Sequence, residues 1–77
     1  MDLILKFGQK LIADACRASK SPHITREFWN AIDDVKPDET WVVSPVYDAY
    51  PLKENVWVMP LDEALKKMDG IQQKLFD

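Results

Sequence analysis

The chain has one cysteine, Cys16, one histidine, His23, and two glycines, Gly8 and Gly70. Each scarcity removes a class of explanation. A lone cysteine cannot close a disulfide within the chain, so no covalent staple supports the fold. Cys16 and His23 fall short of the roughly four ligands that a structural zinc takes. Two isolated glycines make no glycine-rich loop to cradle a phosphate. Neither a Ser-His-Asp pattern nor a paired-cysteine spacing is present. No apolar run approaches the roughly 18 residues of a membrane span. The N-terminal run Leu3-Ile4-Leu5 follows Asp2 and is broken by Lys6 and Lys10, which does not read as a signal peptide. Together these absences predict a non-enzymatic chain with no cofactor, no metal and no membrane contact. The single cysteine fits the reducing cytoplasm.

What is present bounds the rest. Seventy-seven residues make one domain, residues 1–77. An apolar share of 47% is too high for a disordered chain. A domain this small buries only about 60% of its unfolded surface, so its stability is marginal. With disulfide and zinc removed, self-association or a partner is the open route to further support.

The net charge of −3 conceals an uneven distribution. Residues 1–26 carry +3, residues 27–63 carry −7, and residues 64–77 carry +1. The acidic middle also holds Trp29, Trp41, Trp57, Tyr47 and Tyr50, which are all the Trp and Tyr of the chain. An acidic, aromatic middle between basic ends points toward a binding surface.

Periodicity predicts three helices and two strands. Leu3, Phe7, Leu11, Ala15 and Ala18 recur at helical spacing, with Ile4, Ile12 and Cys16 beside them, which predicts a helix over about Asp2–Ser19. A second helix is expected from Arg26 to Val35, capped by Ser21-Pro22 or by Thr25 and stopped by Pro37. Strands are expected over about Thr40–Tyr47 and Asn55–Met59, where β-branched and aromatic residues dominate. A last helix is expected from Leu61 to Phe76, with Gly70 a weak point. The order α-α-β-β-α implies a small α+β domain, an antiparallel hairpin packed on helices. A dimer joining two such hairpins would supply further strands.

Individual polar residues carry little chemistry. His23 stands in an expected loop without a carboxylate or nucleophile pattern beside it. Cys16 falls near the end of an expected helix, where the dipole works against a thiolate. Asp33-Asp34 and Asp38-Glu39 lack the alternating ligands of a calcium loop. Asp62-Glu63 open a helix and precede Lys66-Lys67 by four residues, which is helix stabilisation.

The phrases Trp41-Val42-Val43-Ser44-Pro45 and Val56-Trp57-Val58-Met59-Pro60 are apolar at odd and even positions alike. Three short helices look too few to cover both faces of such a hairpin. One face then becomes an interface, with Asp38, Glu39, Trp41, Tyr47, Tyr50 and Trp57 as the partner-binding residues. The expected function is a protein-interaction module that meets a basic surface on its partner. Size and charge fit the small acidic inhibitors or adaptors that phages and other mobile elements encode. The alternative is nucleic-acid binding by the basic side of the first helix, through Lys10, Arg17 and Lys20. The negative net charge and the absence of a DNA-reading motif weigh against nucleic acid.

Overall fold

The computed structural model describes residues 3–18 and 24–76. Its elements are β1 (Leu3–Phe7), β2 (Lys10–Cys16), α1 (Arg26–Val35), β3 (Glu39–Val43), β4 (Tyr50–Lys53), β5 (Val56–Met59) and α2 (Leu61–Phe76). The sheet has five strands in the order β1-β2-β3-β5-β4. β2, β3 and β5 run parallel, and an antiparallel strand borders them on each side.

The order β-β-α-β-β-β-α overturns the expected α-α-β-β-α. No helix spans residues 3–16; that stretch is a β-hairpin. Gly8-Gln9 is its two-residue loop, closed by the pair Phe7↔Lys10. Gly8 sits at φ 62, where glycine pays no Cβ penalty and where a hairpin turn opens. The segment misleads because it is apolar at both parities. Ile12, Ala13 and Ala15 are all buried, so the i, i+4 spacing of Leu11 and Ala15 carries no information.

The two Trp-containing strands are also not partners in an antiparallel hairpin. β3 and β5 lie side by side in parallel, with Trp41 opposite Trp57 and Val42 opposite Val58. β4, read as loop from the sequence, pairs antiparallel with β5. The hairpin is therefore β4–β5, with Glu54-Asn55 as its turn and Asn55 at φ 65. Asn tolerates this left-handed region better than most side chains.

The helices form over the expected residues because their local signals are strong. Thr25 caps α1 by accepting from the Phe28 N–H at 3.2 Å. Ile24 and Trp29 flank that cap and pack against the same core cluster. Lys36 ends the helix in the left-handed region, its N–H donating to the Ile32 carbonyl at 2.8 Å. The alternative cap, Ser21-Pro22, lies outside the described residues. α2 continues through Gly70, where an added Cβ would meet nothing within 4 Å. Gly70→Ala should therefore raise stability by about 0.5–1 kcal/mol, read as a higher urea midpoint at unchanged slope. A loss of stability there would mean the helix does not run through Gly70.

One helix covers each face of the sheet. On the first face Ala15, Val42 and Val58 pack against Phe28 of α1, with Ile32 and Trp29 beside them. On the second, Ile12, Trp41, Val43 and Met59 pack against Ala64 of α2, joined by Leu5, Met68 and Ile71. This explains the two apolar phrases. A parallel strand in mid-sheet is buried on both faces and reads as continuous hydrophobic sequence. Two helices suffice because only the three central strands need cover.

Candidate functional site

The six residues singled out from sequence separate into three groups. Asp38 and Glu39 hold the start of β3. Asp38 donates its N–H to the Leu11 carbonyl at 2.7 Å, and its Oδ2 accepts from the Leu11 N–H at 2.7 Å. Glu39 pairs with Lys10 of β2 through an ion pair and accepts a long bond of 3.4 Å from the Trp41 indole Nε1. Residues two apart on a strand share a face, which is why Glu39 reaches Trp41. Both carboxylates thus tie β3 into the sheet.

Burial tends to raise the Glu39 carboxyl, but bonds from Lys10 and Trp41 and the charges of Lys10 and Lys67 outweigh it. The net effect is a pKa below the ordinary 4.5. A depressed carboxylate contributes stability above its unfolded pKa and loses it as pH falls through its folded pKa. The stability gap between wild type and Glu39→Gln should therefore be widest near neutrality and shrink as pH drops below about 4.5. Urea midpoints across pH would show it. A gap that stays constant with pH would detach Glu39 from these partners.

Trp41 is a core residue, 1% exposed. α2 closes over it, with the Lys67 ammonium 6.0 Å from its ring centroid. Its indole is not available to a partner while α2 is docked. Trp57 stands opposite Trp41 on the same face of the sheet yet is 37% exposed. Among the strands α2 packs mainly on β1 and β3, which leaves the β4 side of this face, with Trp57 and Leu52, open. Trp57 lines a groove of about 530 Å³ with Pro51, Leu52, Lys53, Glu54 and Asn55.

Tyr47 and Tyr50 lie elsewhere. Tyr47 is 90% exposed between β3 and β4. Tyr50 pairs with Val58, so it sits on the α1 face, opposite to Trp57. On that face Lys53 places its ammonium 4.3 Å above the Trp29 ring. The structure therefore brings Trp57 into a groove and does not bring the other five residues to it. Sequence reasoning missed Pro51, Leu52 and Asn55. The signal was the Glu54-Asn55 turn between two strand-like runs. The dimer expected through the two Trp-containing strands has no free edge there, because β3 and β5 each have a neighbour on both sides.

A second hollow, about 320 Å³, opens at the carboxyl ends of the parallel strands. Cys16, Arg17, Val43, Ser44, Pro60 and Leu61 are among its walls. Ligands of α/β sheets often bind at this end. Here the walls are mostly apolar, and the Arg17 guanidinium is engaged by the Cys16 carbonyl at 2.9 Å and by the Phe28 ring. Asp62 and Glu63 offset the positive end of α2.

His23 and Lys20 lie outside the described residues. Among the described residues no three ligand-type side chains gather to hold a metal. No described helix is long and apolar enough to cross a membrane. Over residues 3–16 the basic helical side expected for nucleic acid does not form, since that stretch is a hairpin and Lys10 is paired with Glu39. No protein-family model matches the chain, and no curated protein or solved structure matches it either.

Proposed function

We propose that the protein is a non-enzymatic interaction module that binds a protein partner through the open groove of the β4–β5 hairpin. The observation that supports this reading is Trp57. It is left uncovered on a face where α2 buries its neighbour Trp41. Half-exposed Trp in an apolar groove is the residue type that most often anchors a protein contact. Pro51 and Leu52 give the groove its apolar lining, and Glu54 rims it. The occupant is an extended segment that offers an apolar side chain to Trp57 and basic side chains to the acidic middle of the chain. Residues 27–63 carry −7, so such a segment is attracted over a distance as well as in contact. Size and charge suit an inhibitor or adaptor, of phage or other mobile-element origin, and the single cysteine suits the cytoplasm.

The test is capture from extract of the source cell by wild-type and Trp57→Ala protein in parallel. A protein retained by wild type and lost by the folded variant would support the reading. An identical captured set would contradict it.

A further inference from the structure

The two edges of the sheet are built differently. β4 carries Pro51, a register shift between Pro51 and Lys53, and only four residues. Proline and irregular pairing are among the devices that keep an edge from adding a strand. β1 has neither. All five of its residues pair in unbroken register with β2, from Leu3↔Asp14 to Phe7↔Lys10. Among the described residues no strand lies beyond it. Its outer backbone groups are therefore a regular row with no strand opposite. Ile4 on this strand is 43% exposed, while Leu5 joins the core cluster beneath α2.

We propose that β1 pairs antiparallel with β1 of a second copy of this chain, about a two-fold axis at Leu5. The strand fits itself in this register. It pairs all five residues and places Leu5 opposite Leu5 on the α2 face, which continues the apolar layer across the axis. Ile4 then faces Lys6 of the partner subunit, twice, and the lysine stem covers the exposed isoleucine. Centring on Lys6 would set two like charges opposite each other and pair only three residues. Two five-stranded sheets become one of ten strands, each face keeping its own helices. The Trp57 groove lies at the far edge and stays open.

Sedimentation of wild type, Ile4→Lys and Ile4→Glu across a concentration series tests this pairing. Wild type should dimerise reversibly. Ile4→Lys sets lysine against the partner subunit's Lys6 at both symmetric positions and should weaken the dimer about tenfold. Ile4→Glu sets carboxylate against it and should tighten the dimer about tenfold. Both shifts should shrink in high salt. Exposure of Ile4 lets each protomer keep its fold, which circular dichroism at low concentration would verify. The proposal fails if wild type is monomeric at millimolar concentration. It fails equally if both variants move the constant in one direction, or if neither moves it. Loss of the dimer in Trp57→Ala alone would place the contact at the other edge and also overturn it.

Discussion

Trp41→Ala should cost about 3–5 kcal/mol of folding stability, the range for truncating a fully buried large aromatic. The indole is 1% exposed and packs with Ile12, Val43, Met59 and Ala64 beneath α2. Removing it opens a cavity at the centre of the sheet and leaves Glu39 without its indole donor. A domain of this size holds roughly 4–12 kcal/mol in total, so the variant should sit close to unfolding. Urea midpoints measure the loss. A cost below about 1 kcal/mol would mean that α2 does not close over this face.

Trp57→Ala should behave in the opposite way. Its indole is already open to solvent, and the fold should lose about 1 kcal/mol. Partner affinity should fall by about 2 kcal/mol or more, roughly thirtyfold, as for an anchor residue in a groove. The contrast between two tryptophans in register on one sheet face isolates the role of α2, since the chemistry removed is identical. Equal losses of stability at Trp41 and Trp57, with binding untouched in Trp57→Ala, would leave the groove without a function.

The helices α1 and α2 and the strands β3 and β5 were legible in the sequence; the first hairpin, β4 and the pairing of the sheet were not. Thr25, Pro37 and the Phe28-Ile32 spacing mark α1 from local chemistry alone. Residues 3–16 offer no such marks. Apolar side chains stand at both parities because β2 is buried on two faces, and that pattern satisfies a helical period as well as a strand. Gly8 was the discriminating residue, since a hairpin turn needs positive φ and a helix interior gains nothing from glycine. The parallel pairing of β3 with β5 was hidden for another reason. Adjacent strands usually pair antiparallel, and here β4 takes the antiparallel place and leaves β5 between its predecessors. The site suffered accordingly. Once register is fixed, Trp41 goes under α2 and Tyr50 goes to the α1 face, and only Trp57 of the six expected residues lines the groove.

The division of the aromatic surface rests on the two indoles of the β3–β5 pair. Hydrogen exchange of the indole N–H groups, followed by nuclear magnetic resonance, measures it directly. The Trp41 N–H should exchange slowly, through opening of the core, because it is buried and bonded to Glu39. The Trp57 N–H should exchange fast in the same sample, and should slow when a partner occupies the groove. Fast exchange at both indoles, or protection at Trp57 in the free protein, would contradict the assignment of one to the core and the other to the surface.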